Sequence, residues 1–224
     1  MRGRYYRRSD KQRIADAFRT GVPPSFEILP SYNVCPQTFQ PIVRLCRESE
    51  ERELALLRWG FIPFWAKDAK IGSSTINAKS EMVASSAMFR DALKRRRCLV
   101  PADGFYEWQK LDAKNRQPWA IGLADGSMFA FAGLWDQWKD PATQQPLETF
   151  TILTTEPNEL TAIHNRMPVI LTPRDYERWL TPGDPAQPPV DLLRPREASE
   201  MTAWKVGAAV GNVRNDDPSL CLPC

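Results

Sequence analysis

His164, followed by Asn165-Arg166-Met167-Pro168, is the single imidazole among 224 residues. That scarcity excludes most zinc hydrolase chemistry, which uses two or three histidine ligands, and no HExxH is present. Gly207-Ala-Ala-Val-Gly211 has the wrong spacing for a phosphate loop and lacks Gly-Lys-Ser/Thr. Cys221-Leu-Pro-Cys224 has CxxC spacing, but one such pair reads as a frayed tail before it reads as a metal or redox site. No metal and no cofactor is expected. What remains is acid–base and nucleophilic chemistry from one imidazole and a few carboxylates. Glu107 stands between Tyr106 and Trp108 in an otherwise apolar strand. If Phe105 faces the core, Glu107 shares that face, and a buried carboxylate suits proton transfer. In the opposite register Tyr106 and Trp108 are buried, and Glu107 is a solvated edge residue. His164 has a plainer reading too, as the C-terminal cap of a helix.

The elements that must hold these residues are short. Ser9 and Gln12 form a capping box for a helix over 10–20, ended by Gly21 and Pro23-Pro24. Pro41–Cys46 and Glu53–Trp59 read as strands flanking a charged hairpin, Arg47 to Arg52. Trp59-Gly-Phe-Ile-Pro-Phe-Trp65 then breaks regular structure, and 80–95 has helical spacing. Strand signals follow at Cys98–Val100, Gly104–Trp108, Trp119–Leu123, Met128–Leu134 and Phe150–Thr154. Helices are predicted over 157–163 and 173–180, the second with Thr172 as N-cap and Pro173 at its first position. Short strands without regular βαβ alternation predict a single α+β domain, 1–224. Its centre is a curved mixed or antiparallel sheet, or a partial β-barrel, surrounded by short helices. Residues 182–195 read as a Pro-rich surface connection and 216–224 as a tail.

Composition narrows the class further. Hydrophobic residues at 42% and charged residues at 25% are ordinary for a folded chain, which excludes a disordered one. Twenty prolines against eleven glycines predict a stiff, loop-rich chain. No apolar run approaches the roughly 20 residues of a membrane span, and no apolar stretch follows the basic N-terminus, so no signal peptide is expected. Five cysteines, an odd number, suit reduced thiols in the cytoplasm. The net charge is only +3, yet residues 1–20 hold seven basic side chains against Asp10 and Asp16. A second basic run is Lys94-Arg95-Arg96-Arg97. Such patches suit phosphate contact.

Seven blocks carry a family resemblance over Met1 to about Asn215. They are Met1 to Arg4, Tyr32-Asn-Val-Cys-Pro36, Trp59 to Trp65, Ile76-Asn-Ala-Lys-Ser-Glu81, Pro101-Ala-Asp-Gly-Phe-Tyr-Glu-Trp108, His164 to Pro168, and Val210-Gly-Asn-Val213. In this order they resemble the SRAP family, the SOS-response-associated peptidases or abasic-site processing proteins. The resemblance implies removal of Met1 and an N-terminal cysteine that condenses with the aldehyde of an abasic site in single-stranded DNA, leaving a thiazolidine crosslink. It implies that Asn77 positions the N-terminal group, that Glu107 assists proton transfer, and that His164 is tied to Schiff-base chemistry and crosslink reversal. Arg4, Asn33, Trp65, Lys79 and Arg166 carry over for DNA contact, Lys79 standing where many relatives have arginine.

The chemistry agrees with the residues. An α-amine with a pKa of about 7.7–8.0 is a better nucleophile at neutral pH than lysine, near 10.4. Bases of single-stranded DNA stack on aromatics, which gives the Trp59-to-Trp65 stretch a use beyond core packing. One departure matters: residue 2 is Arg2, where the family has its catalytic cysteine. Without a sulfur no thiazolidine forms, and a bulky second residue hinders Met1 removal. The expected protein is thus a cytoplasmic, monomeric, DNA-associated one acting on abasic single-stranded DNA. Two other readings stand beside it: a single-stranded-DNA-binding module that has lost the reaction, and a cysteine peptidase using Cys98 or Cys35 with His164. The last is weak, because both cysteines sit in segments typical of buried structural thiols.

Overall fold

The computed structural model describes residues 3–22, 25–46, 48–161, 163 and 165–224. In chain order the strands begin with β1 (Tyr5–Arg7), β2 (Ser31–Val34), β3 (Phe39–Leu45), β4 (Arg52–Trp59) and β5 (Asn77–Lys79). Then come β6 (Arg97–Ala102), β7 (Gly104–Lys110), β8 (Arg116–Leu123), β9 (Phe129–Lys139) and β10 (Pro146–Thr155). The short β11 (Met167–Pro168), β12 (Ile170–Leu171) and β13 (Met201–Lys205) complete the set. Among the described residues four α-helices lie between them: α1 (Lys11–Phe18), α2 (Ser80–Val83), α3 (Arg90–Arg95) and α4 (Tyr176–Leu180).

Five strands close on themselves. β10 pairs with β4, β4 with β3, β3 with β6, β6 with β9, and β9 again with β10. All these contacts are antiparallel except β4–β10, where Arg58 and Trp59 run parallel to Thr149 and Phe150. The expected curved sheet is therefore a closed barrel, with β5 and β11 added on β10 and β12 on β9. A second, wholly antiparallel sheet in the order β13-β8-β7-β1-β2 lies beside it.

Alternation along the barrel strands sends successive side chains to opposite faces. Leu57, Trp59, Cys98, Val100, Phe131, Phe150 and Ile152 join Tyr5, Phe105 and Ile121 of the second sheet in one buried cluster. The intervening Val43, Leu99, Ala132, Leu134 and Leu153 pack against Ile14 and Phe18 of α1, Leu93 of α3 and Trp179 of α4.

Local chemistry moved several boundaries. Asp10, not Ser9, caps α1: its carboxylate accepts from Arg13 N at 2.9 Å, while Ser9 is buried and donates its hydroxyl to Asp103. The continuous helix expected over 80–95 is two short ones, broken where Ser85 and Ser86 turn hydroxyls onto nearby backbone groups. No helix forms over 157–161. There the Asn158 side chain accepts from Thr161 N at 2.9 Å, an alternative to helical pairing. Thr172 does precede a helical turn, but its hydroxyl bonds the Asp175 carboxylate and not a backbone amide. Within 182–195, Leu192 and Leu193 are buried. The last nine residues are docked and not frayed: Leu220 is buried, Val206 bridges Pro223, and Cys224 N donates to Lys205 O at 3.2 Å.

Candidate functional site

Gly3, the first described residue, is buried with φ of +75°, a left-handed conformation that glycine adopts without penalty. A Cβ there would stand 2.8 Å from Ile76 Cδ1 and 3.2 Å from Pro36 Cγ. Two of the sequence blocks thus close directly on Gly3. β1 holds it in place: Tyr5 pairs with Phe105, Tyr6 with Gly104, and Tyr106 N donates to Arg4 O at 3.1 Å. Continued along the chain, this register sets Gly3 beside Glu107.

The first register for β7 holds, and on the opposite face Tyr106 is buried while Trp108 is only partly so. Phe105 and Glu107 face inward and are wholly buried, so Glu107 is not a solvated edge residue. Tyr106 on the opposite face is buried as well, because Val206, Val210 and Leu220 of the C-terminal segment cover it. Its hydroxyl donates to Tyr32 O at 2.8 Å. Asn77 opens β5 opposite Ile152, directly after Ile76, whose carbonyl accepts from Trp59 Nε1 at 2.8 Å. Asn77 and Glu107, thirty residues apart in the chain, therefore come to the same end of β1. His164 and Arg2 lie outside the described residues.

The residues expected to contact DNA divide into two groups. Arg4 and Asn33 face each other: Arg4 Nη1 donates to Asn33 Oδ1 at 2.7 Å and to Val210 O at 3.0 Å. Asn33 Nδ2 in turn donates to the carbonyls of Val210, Asn212 and Asn215. Asp216 accepts from Ser31 Oγ and from the amides of Tyr32 and Asn33. These contacts clasp the segment 210–216 onto β2 and brace the start of β1.

The second group is at the surface. Lys79 is exposed and pairs by register with Thr154, whose carbonyl accepts from Arg166. Arg166 also grips both carboxylate oxygens of Glu81, and its guanidinium holds Glu81 far below the usual carboxylate range, at about 2. Trp65 and Phe64 are half exposed, while Trp59, Phe61 and Ile62 of the same stretch are core. The loop is pinned beneath them: Phe64 N donates to Asp136, Ile62 N to Thr149 Oγ1, and Trp138 Nε1 to Ala66 O. Two aromatic side chains are thus presented outward from a fixed backbone.

The second basic run is partly structural. Arg97 is buried and donates to the carbonyls of Trp179, Leu93, Lys94 and Thr181, and Arg96 pairs with Asp136 at 3.2 Å. Cys98 is wholly buried, and burial pushes its thiol well above the ordinary value. Cys35 is also pushed up by burial, against the opposing effect of Arg4, and its thiol donates to Asn33 O at 3.0 Å. Neither thiol is set up as a nucleophile. Among the described residues no cluster of three His, Cys, Asp or Glu side chains is arranged for a metal, and no helix is long and apolar enough to cross a membrane.

Two residues that hold this region are not apparent from the sequence, Asp103 and Asp216. Asp103 accepts from Arg8 N at 2.7 Å and ties the far end of β1 to β7. Its place inside a motif was the available signal; Asp216 carried none.

A closed barrel beside an antiparallel sheet, with Gly3 buried against Ile76 and Pro36, defines the class. A family model described as SOS response associated peptidase (SRAP) matches residues 1–213, and the chain belongs to that family. It is 44% identical over 199 residues to the abasic site processing protein YoqW of Bacillus subtilis (strain 168), covering 88% of each chain. It is 33% identical over 225 residues to the abasic site processing protein HMCES of Gallus gallus, covering 87% of this chain and 66% of that one. A crystal structure of a Bacteroides thetaiotaomicron protein superposes with a TM-score of 0.88 at 27% identity, covering 99% of both chains.

Proposed function

We propose that this protein processes abasic sites in single-stranded DNA, with its chemistry at the N-terminal residue. The observation that carries the reading is the burial of Gly3 against Ile76 and Pro36, with Asn77 and Glu107 at the same end of β1. The names of the relatives supply the substrate class. The α-amine attacks the aldehyde carbon of the ring-opened sugar and forms a C–N bond. The carbinolamine then loses water to give an imine, a step that needs proton transfer to the departing hydroxyl. Glu107 is the proton carrier, Asn77 orients the amine, and His164 serves the reversal.

Arg2 limits the product. With no sulfur at position 2 the imine cannot close to a thiazolidine, so the adduct is reversible. Exposed Trp65, Phe64 and Lys79, with Arg166 beside them, receive the strand, whereas Arg4 and Asn33 act by bracing β1. The protein works in the cytoplasm, on DNA, as a monomer. Arg2 also favours a second reading, a binding module with no covalent step. Borohydride trapping separates the two. The protein, with its N-terminal residue established by mass spectrometry, is incubated with an abasic single-stranded oligonucleotide. A reductant-dependent adduct that Glu107→Gln slows supports the first; binding without any trapped adduct supports the second.

A further inference from the structure

An unclaimed cation among the described residues is Arg58. Most of the partly buried arginines already have acceptors: Arg7 donates to the carbonyls of Ser9 and Leu29, Arg44 to Glu53 and Glu148, Arg52 to Phe18 O and Glu177, and Arg97 to four carbonyls. Among the described residues Arg58 has no hydrogen bond and no ion pair, although its Nε is buried. Arg58 as a whole is half-buried, so its guanidinium stands at the surface with no acceptor of its own and is available to a bound anion. Space is provided: Nη2 lies 3.2 Å from where a Cβ on Gly72 would stand, so any side chain at that position would crowd it.

Directly opposite Arg58 in the β3–β4 register stands Phe39, with half of its surface exposed. Residues opposite one another in an antiparallel pair project on the same side of the sheet with Cβ atoms about 5 Å apart. An exposed aromatic beside an unsatisfied cation has the chemistry of a nucleotide subsite, a face for a base and a charge for its phosphate. Phe39 also forms part of the wall of a groove of about 770 Å³ together with Pro36, Pro41, Leu56 and Leu29. The groove's own charges are taken: Glu27 by Lys11, Asp216 by β2, Arg7 by carbonyls. Pro36 touches Gly3, and three residues of extended chain, at most about 10 Å, separate it from Phe39.

We propose that Phe39 and Arg58 form a nucleotide subsite beside the reacting centre, Phe39 stacking on a base and Arg58 holding the adjoining phosphodiester of the bound strand. The proposal rests on the single-stranded-DNA reading above.

Fluorescence anisotropy with an intact oligothymidylate, across a salt series, tests it apart from the covalent chemistry. Arg58→Gln should weaken binding about three- to tenfold and flatten the plot of log affinity against log salt by about 0.7, the value for one phosphate on a single strand. Phe39→Ala should weaken binding about five- to tenfold and leave the slope unchanged. Phe39→Tyr and Arg58→Lys keep the stacking face and the charge, and should retain most of the affinity and the slope. Salt-dependent binding by the wild type that Arg58→Gln and Phe39→Ala leave untouched, in variants with unchanged melting temperature, overturns the subsite and spares the functional reading. If Arg58→Lys also flattens the slope, Arg58 supports the β4–Gly72 packing and the subsite is likewise overturned. A wild type that does not bind the oligonucleotide overturns both.

Discussion

Replacing Gly3 by alanine tests how the start of β1 is held. Two costs are readable from the structure. An L-residue at φ of +75° loses about 1 kcal/mol relative to glycine. The new methyl would also stand 2.8 Å from Ile76 Cδ1 and 3.2 Å from Pro36 Cγ, and pushing apart such tight neighbours costs about 1 kcal/mol more. Together they make about 2 kcal/mol, or roughly 4–8 °C in melting temperature for a chain of this size. The second cost has an address. Ile76→Val deletes Cδ1, so the double variant should recover part of the loss, and the two substitutions should be non-additive by about 0.5–1 kcal/mol. Thermal unfolding of the wild type, both single variants and the double variant is the assay. A Gly3→Ala protein with wild-type melting temperature, or strictly additive effects, would refute the packing of Gly3 on Ile76.

Other outcomes follow from the same contacts. Asp216→Ala removes the acceptor of Ser31 Oγ and the Tyr32 and Asn33 amides, should cost about 1 kcal/mol, and should speed amide exchange in 207–216. Unchanged exchange there would count against the clasp. Glu81, held at about 2 by Arg166, stabilises the fold above its unfolded value of 4.5, and that contribution fades as pH falls towards 2. Because the Glu81 side chain is 57% exposed, screening keeps the effect below about 1 kcal/mol. Melting curves from pH 4.5 to 2 should show an extra decline in the wild type that Glu81→Gln lacks; parallel curves would contradict the pairing. Trp65→Ala should cost about 1–2 kcal/mol of stability, for the half of the ring that is buried, and weaken single-stranded DNA binding about five- to tenfold, checked by unfolding and anisotropy. A larger loss of stability would return Trp65 to the core.

Much of this architecture is legible in the chain because alternation is local. β6, β7, β9 and β10 each lie where apolar periodicity points, extended by a few residues at their ends. Closure of the barrel is not legible: β4 meets β10 in parallel at residues some ninety positions apart, and nothing near Arg58 or Thr149 announces it. The failed helix over 157–161 shows a side chain, Asn158, outcompeting backbone periodicity. At the site, Asn77 and Glu107 are found through motifs, but that Tyr106 on the opposite face of β7 is buried depends on a C-terminal segment a hundred residues away. Arg4 and Asn33 show the opposite limit. Their types suit phosphate contact, and only the fold reveals that each is already engaged with the other and with residues 210–215. Arg58 is hidden for a related reason, since the lack of an acceptor is a property of three-dimensional surroundings.

The most direct test restores the missing sulfur. The Arg2→Cys protein, shown by mass spectrometry to have lost Met1, is mixed with an abasic single-stranded oligonucleotide and resolved on a denaturing gel without reductant. A stable protein–DNA adduct is expected, formed more slowly when Glu107→Gln or Asn77→Ala is added, and no such adduct from the Arg2 chain. An Arg2→Cys protein that binds the oligonucleotide but forms no adduct would contradict the assignment of the N-terminus, Asn77 and Glu107 as the reacting centre.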